Sequence, residues 1–579
     1  MDSTVKSTRY RDLIELGIGI GIVLLVLFIG GFARLRLDLT SEQRYTLKPA
    51  TKDLAGGLQD VVFVKVYLHG ELPADLQRLN QAVRDLLDEL RVHAPDNIQY
   101  EFSDPNAQPD EKTRREVYAR LEQEGLHYSS IRMRDKGSFT ERIVFPGAMV
   151  TYRGRSVPLQ LLKTWMRAPD AEMVNRSINN LEYELANAIR QATAERKRRV
   201  AFVEGHGELD DWYVKDITKV LSEQYDVSRV RIDEQLNSLS DMPEGMAARI
   251  NKFDALIIAK PDSAIPKRDQ YIIDQFIMNG GRVLWLLDAM NAHLDSLRKN
   301  QFSIATPLET DLDDMLFGYG IRVNKDILID KNCAPIEIFT TPYGNQRKLE
   351  RFPWYYEPVV VPRSGHPIVH SIDPVHLRFS STIDTIGTDS VRKTVLLTSS
   401  PYSRALRNPV RVSLGIVETD MGLERSTTPD LPVAVLLEGR FRSAFADLLL
   451  VRPDTLRQWG YREWSTPTAQ LFISDGDVIA NRVDREKGMF YMLGYDRMAK
   501  TKIYGNRELI LNAMNYLLDD QGLISIRARE ITLRLLDPSR IAKDRPFWQL
   551  MNVAGPVLLV ILAVTSVAGL RRRRWARAA

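Results

Sequence analysis

Two apolar runs, one near each end of the chain, constrain this sequence more than any other feature. Leu13–Ala33 reads LIELGIGIGIVLLVLFIGGFA, with Glu15 as its single charge. As a helix it is about 31 Å long, enough to cross the hydrocarbon core of a bilayer. Phe547–Leu570 is a second run of this kind, followed at once by Arg571, Arg572, Arg573 and Arg574, and by Arg577. Arginines gathered at one end of a span keep that end in the cytoplasm. Phe547 and Trp548 suit the opposite interface, and Pro556 within the run is tolerable where neighbouring helices pack against it. Trp548 and Arg571–Arg574 are therefore the expected membrane-anchoring residues. The first run has Lys6, Arg9 and Arg11 before it and Arg34, Arg36 and Arg44 after it. Its flanks orient it poorly, so the C-terminal arginines decide. Two spans leave 1–12 and 571–579 in the cytoplasm and the bulk of the chain in the periplasm of a bacterial inner membrane. A cleavable signal peptide competes for 13–33, but the run is long and no small-x-small site follows. A buried core helix competes for both runs, and the five arginines argue against it at the second.

Between the runs the chain reads as ordinary globular protein. It has 579 residues, 44% hydrophobic and 27% charged, which suits about three or four domains and argues against extended disorder. A mean hydropathy of −0.24 excludes a many-span transporter. Lys and Arg number 79 against 75 Asp and Glu, for a net charge of +4. No basic excess marks a nucleic-acid partner. Cys333 is the single cysteine, so disulfide frameworks, CxxC redox centres and multi-cysteine metal sites are excluded.

The periplasmic part divides at a helix. Within 34–169, an apolar strand at 61–68 is followed by Leu76, Leu79, Val83, Leu86, Leu87 and Leu90 at helical spacing. Alternation at Ile98, Tyr100 and Phe102 gives a strand, a polar helix falls near 110–123, and Gly154 turns a hairpin. This order resembles the thioredoxin fold, including a proline, Pro146, ahead of the third strand. The resemblance implies a cis Pro146, but without cysteines the region would be a scaffold. Residues 170–198 read as one connecting helix. Its basic end, Arg196 to Arg199, suits a helix C-terminus or a phosphate-binding patch. Residues 199–522 alternate strands and helices as in a doubly wound parallel sheet, with strands at 199–203, 227–232, 255–259, 283–287, 433–437 and 471–474. Helices fall at 211–224, 266–279 and 507–518. The pattern resembles the glutamine-amidotransferase-like α/β fold. That family uses a cysteine in a tight strand-to-helix turn, whereas Cys333 falls in the loop-like Lys331-Asn-Cys-Ala-Pro335. Residues near 300–430 read as a β-rich insertion. The juxtamembrane segment 523–546 includes partial strand alternation at Ile524–Leu536.

Candidate chemistry gathers where strands should end. Glu204-Gly-His206-Gly-Glu208 follows the first strand of the second domain, at the edge where α/β folds take ligands. A histidine with two carboxylates could move protons or hold a metal; a glycine-shaped turn satisfying its own backbone is the plainer alternative. His293 is a possible spatial partner of His206. Asp288 ends a later strand. Asp475-Gly-Asp477 follows the last, as a cation site or as an Asx turn opening a helix. Glu204, His206, Glu208, Asp288, Asp475 and Asp477 are thus the candidate ligand or partner contacts. No GxxxxGK[ST], GxSxG or HExxH occurs, so no catalytic residue, metal or cofactor is assigned.

Taken in order, Leu37–Leu47, Val200–Leu209, Phe472–Asp477, Leu523–Leu536 and Phe547–Asn552 resemble the gliding-motility-associated ABC-transporter auxiliary component, the G subunit of the Gld system. The likeness spans nearly the whole chain. It implies an ATPase partner and a multi-span permease in the inner membrane of a Bacteroidota-type bacterium, and it carries no catalytic residues. The expectation is a non-enzymatic, bilayer-anchored auxiliary subunit. A periplasmic solute receptor using Glu204, His206, Asp288 and Asp475 is the first alternative. A hydrolase built on His206 is the second.

Overall fold

The computed structural model describes residues 46–576, apart from 109, 136–137, 163–169, 234, 244–247, 299, 341–347, 388–389, 420, 426–429, 448–458 and 529–537, together with scattered positions between 14 and 28. The chain is mixed α/β and falls into two compact units, residues 1–529 and 530–579.

In the first unit, four strands form one sheet: β1 (Val62–Val66), β2 (Ile98–Phe102), β3 (Gly147–Tyr152) and β4 (Arg155–Gln160), in the order β2-β1-β3-β4. β1 runs parallel to β2 and antiparallel to β3, and β3 runs antiparallel to β4. The β3–β4 turn uses Arg153 and Gly154, both at positive φ, as the glycine signal anticipates. Val62, Val64 and Val66 put one face of β1 into a core shared with Leu79, Val83 and Leu87 of α1 (Ala74–His93). Two expectations fail here. The Phe145–Pro146 bond is trans, because the cis bond recorded in the described chain is Asn408–Pro409. An additional hairpin, Ser129–Asp135 with Ser138–Val144, lies between the helix at 111–123 and β3. Its sequence is too polar to announce a buried strand.

Seven strands form the large sheet: β5 (Arg199–Glu204), β6 (Asp226–Arg231), β7 (Ala255–Ala259), β8 (Arg282–Leu286), β9 (Val391–Thr398), β10 (Pro432–Gly439) and β11 (Thr468–Ile473). Their order is β9-β10-β11-β8-β7-β5-β6. The five strands from β11 to β6 are parallel; β9 and β10 are antiparallel additions. The parallel part thus has chain order 2-1-3-4-5, which reverses between β5 and β7. Buried on both faces, these strands read as continuous apolar runs. Val200 and Phe202 face one core with helices α3 (Asp211–Gln224) and α5 (Asn506–Leu517). Ala201 and Val203 face another with α4 (Lys267–Met278). The β-rich section is real, but its boundary changes: β9 lies within 300–430 yet belongs to the main sheet.

Helix α2 (Asp170–Thr193) ends five residues before the expected 198, so Arg196–Arg199 lie beyond it. Leu181, Leu185, Ala188 and Ile189 enter the core of the first sheet. Tyr183 and Ala186 face a different cluster, made with Leu523, Ile524 and Ile526. Those residues form a 3-10 turn, Leu523–Ala528, in place of strand alternation; residues 529–537 lie outside the described set. On the same stretch of helix, Glu182 Oε1 accepts from Lys48 N at 2.7 Å and Thr51 Oγ1 at 2.8 Å. Asn515 Nδ2 donates to Tyr183 Oη at 3.2 Å while its Oδ1 accepts from Tyr225 Oη at 2.6 Å.

The second unit contains α6 (Pro538–Ala576), one helix running through Pro546 and Pro556. Its segment Asp544–Leu570 has mean hydropathy 2.3 and none of its apolar window is buried. Phe547 and Trp548 are exposed, with ring centroids 5.4 Å apart. Arg572 is exposed, while the side chains of Arg571, Arg573 and Arg574 lie outside the described set. Of 13–33, positions 14, 17–22, 24–25 and 28 are helical and exposed, and the rest of that expected span lies outside the described residues.

Ala186 is fully buried in the cluster with Leu523, Ile524 and Ile526, outside the core of the first sheet. Ala186→Leu is expected to overpack this contact at a cost of about 1–3 kcal/mol. Hydrogen exchange should speed up in 523–528 while β1 and β3 keep their protection. Equal loss in both would contradict separate packing on the two faces of α2.

Candidate functional site

The carboxyl ends of β5, β7, β8 and β11 carry the charged residues singled out in the sequence, and the structure sorts them into a buried group and a half-buried one. The first fills the place where the strand order reverses, between β5 and β7. Gly205 and Gly207, at φ 128° and 79°, fold the turn back on itself. A Cβ on Gly207 would lie 1.5 Å from Asp262 Oδ1, so only glycine fits. Asp262 N and Ser263 N donate to the His206 carbonyl at 3.0 and 3.1 Å. The His206 ring is 3% exposed. Nδ1 lies 3.1 Å from Glu208 Oε1, and Nε2 lies 3.0 Å from Asp269 Oδ2 in the first turn of α4. Burial works against an imidazolium here, but the bonds to Glu208 and Asp269 outweigh it and raise the His206 pKa. Glu204 belongs to neither group. It pairs with Arg229 at the partly exposed side of the sheet.

The second group closes the ends of β7, β8 and β11. Lys260 directly follows β7 with φ at 58°, an uncommon conformation for a side-chain-bearing residue. Its Nζ lies 2.5 Å from Asp477 Oδ2 and 3.3 Å from Asp288 Oδ2. Gly476 N donates to Asp288 Oδ1 at 2.6 Å. Asp475 Oδ1 accepts from Asp477 N at 2.8 Å, so the Asx turn is present, capping a short 3-10 turn. Asp475 Oδ2 accepts from Arg378 N at 2.8 Å. A Cβ on Gly476 would fall 2.5 Å from Lys260 Cβ.

Arg378 arrives from the β-rich section. Its neighbour His376 has Nε2 3.0 Å from Glu357 Oε2 and exchanges backbone bonds with the Asn506 side chain at 3.0 and 2.8 Å. Ser381 N donates to the Ser474 carbonyl at 3.0 Å. Residues 376–381 therefore pack against the end of β11 and the start of α5. Burial works against the Lys260 charge, but Asp288 and Asp477 raise its pKa. Burial raises Asp288 and, with the charges of Asp288 and Asp477 added, raises Asp475 well above the carboxylate range. Asp477 is lowered, since Lys260 and Arg378 outweigh its burial.

Asp288, Asp475 and Asp477 thus come together, and His206 with Glu208 forms a separate group. His293 acts on Asp477 through its charge and makes no bond to His206. Lys260, Asp269 and Arg378 escaped the sequence reading. Lys260 carried a usable signal: a charge placed directly after a buried strand, as Asp288 and Asp475 are placed near the ends of theirs. Cys333 opens a strand instead of lying in a loop, and burial pushes its thiol up to about 12. Among the described residues, no three His, Cys, Asp or Glu side chains are arranged to hold a metal ion.

Residues 197–513, which hold the large sheet and its β-rich section, match the family described as an ABC-type uncharacterized transport system. The chain belongs to this family. Its name denotes an auxiliary component of such systems, which implies association with transporter subunits. Together with the apolar segment of α6, it points to membrane association. Residues 41–151 match a domain of unknown function. An uncharacterized protein of Borreliella burgdorferi is 22% identical over 448 residues, covering 76% of this chain and 80% of that protein. A solved chain described as the mmIFT52 N-terminal domain covers 55% of this chain and 96% of its own length at 12% identity and TM-score 0.30. That score is too low to define a shared fold.

Two outcomes follow for the ABC-system component. Lys260→Met leaves buried carboxylates unpaired and is expected to cost about 3–5 kcal/mol at neutral pH. Asp477, left with Arg378 alone as a cationic neighbour, takes up a proton more readily on acidification, so the deficit should shrink as the pH falls. A deficit independent of pH would contradict the pairing. For His206, the folded pKa lies above the ordinary 6.5. Its stabilisation is full below pH 6.5 and lost as pH rises through the raised value. The thermal midpoint of the full chain in detergent should fall over that interval, and His206→Gln should flatten the fall.

Proposed function

We propose that this chain is a non-enzymatic, membrane-anchored coupling subunit of an ABC-type transporter, of the kind typified by the gliding-motility auxiliary component. The closed carboxyl edge of the large sheet is the observation that carries this reading. A solute receptor or hydrolase on such a sheet needs an open crevice at the strand ends. Here Lys260 pairs with Asp288 and Asp477, Asp475 accepts from the backbone of Asp477 and Arg378, and Ser381 N bonds the Ser474 carbonyl, so the charged groups at the strand ends are already engaged within the chain. In this reading His206, Glu208 and the three aspartates serve to hold the strand ends together, and Glu204, paired with Arg229 at the partly exposed side of the sheet, stands apart from them.

In this reading 13–33 and 547–570 both cross the inner membrane, both termini are cytoplasmic, and the large domains are periplasmic. The β2-β1-β3-β4 order, with its strand directions, supports a thioredoxin-like scaffold. The 2-1-3-4-5 parallel order supports the doubly wound, amidotransferase-like reading of the second domain. The partners are an ATP-hydrolysing subunit and a multi-span permease. Rigid domains gripped through α2 would follow the permease when its ATPase turns over, in motility or in export.

Affinity purification of the full chain from native membranes, followed by mass spectrometry, is expected to recover an ABC ATPase and a permease in stoichiometric amounts. Recovery of the chain alone, in detergents that keep other membrane complexes intact, would refute the subunit reading. A long glycine-serine linker placed after residue 528 is expected to abolish transport or motility while leaving the complex assembled. Unaltered function would remove the mechanical part of the proposal.

A further inference from the structure

The opposite, amino edge of the large sheet is open. A groove of about 650 Å³ there is lined by Arg196, Lys197, Arg199, Ser222, Tyr225, Asp226 and Val227. Its charges are sorted. Arg198 is engaged by Asp254 and Asp520, and Arg282 by Asp520. Lys197 Nζ donates to the Ser222 carbonyl at 2.8 Å, which fixes it on the groove wall. Arg196 and Arg199 are exposed and have no ion-pair partner among the described residues. Three cations thus face one carboxylate, Asp226. The chain also leaves the large domain at this edge. Asp520 holds Arg198 and Arg282, Leu523–Ala528 follow, and nine residues later the apolar helix α6 begins.

We propose that this groove binds the phosphate of an anionic phospholipid headgroup at the periplasmic surface of the membrane. Guanidinium pairs match phosphate oxygens in geometry and charge. Cations near an anionic bilayer add to its attraction over about one Debye length. A headgroup seated between Arg196 and Arg199 would hold the amino edge down on the bilayer and leave the closed carboxyl edge pointing away. The inference rests on the membrane-anchored reading above.

The test uses the full chain in detergent, with Cys333→Ala and Ser222→Cys carrying a bimane label on the groove wall. Titration with short-chain phosphatidylglycerol is expected to shift the emission saturably, while phosphatidylcholine at the same concentrations leaves it unchanged. Arg196→Ala with Arg199→Ala should weaken the phosphatidylglycerol midpoint about thirtyfold with an unchanged thermal midpoint. Both arginines are exposed, so folding is not at issue. An equal response to phosphatidylcholine, or no weakening in the double variant, would overturn the site. Inorganic phosphate titrating with the same midpoint would make it a free-phosphate site and overturn the lipid assignment. Membrane anchoring is scored separately, by whether the native chain sediments with membranes and resists alkaline extraction. The headgroup site can therefore fail while anchoring stands, and the reverse.

Discussion

An ammonium buried among carboxylates governs the large domain. Lys260 sits half-buried with Asp288 and Asp477, and a charge drawn out of water is tolerable only when paired. The three residues come from the ends of three adjacent parallel strands, β7, β8 and β11. Asp475 extends the set to the backbone of Arg378, and with it to the β-rich section. Each group is stabilised by the others, as in other hydrogen-bonded charge networks. Lys260 accepts a left-handed backbone and Gly476 forgoes a side chain so that the two can approach.

The same edge shows where the sequence was legible. Strands such as Ala255–Ala259 and Val433–Leu437 are apolar on both faces, and few other structures bury such a run. Helices α3, α4 and α5 carried clear apolar stripes. The turn at Glu204–Glu208 was also placed correctly, because two glycines around a histidine make a tight reversal. Its partner was not legible. Asp269 stands 63 residues from His206 and looks like any acidic residue in the first turn of a helix. Arg378 has no local signal at all. The β-rich section resisted for the same reason. Asp326–Asp330 pairs with Ser403–Arg407, across about seventy residues of intervening chain, and no local pattern encodes that pairing. Even so, β9 could have been separated from its surroundings, since Val395, Leu396 and Leu397 are the only run of three aliphatic residues between 385 and 430.

Helix α2 gives the closed domain something to act on. Its apolar stripe packs on one cluster, while Tyr183 and Ala186 beside that stripe pack on another, so each buried face has a different owner. Leu181, Leu185 and Ile189 belong to the first sheet. Glu182 holds the segment that comes from the N-terminal apolar run, and Tyr183 with Ala186 holds the segment that leads to the C-terminal one. Arg527 lies over the Tyr183 ring, 5.3 Å from its centroid, and also reaches Asn512 of α5. The two chain segments therefore grip neighbouring residues, with no lever arm between them. If the segments shift together, α2 and the first sheet are carried along as one body. If they shift apart, the strain falls on a single helical turn, whose side chains also brace α5 through Asn515 and thereby the large sheet. A junction of this kind resists relative motion of the two segments and transmits their common motion. That is the mechanical property a coupling subunit requires, and it arises from packing on one helix without any contribution from the strand-end charges.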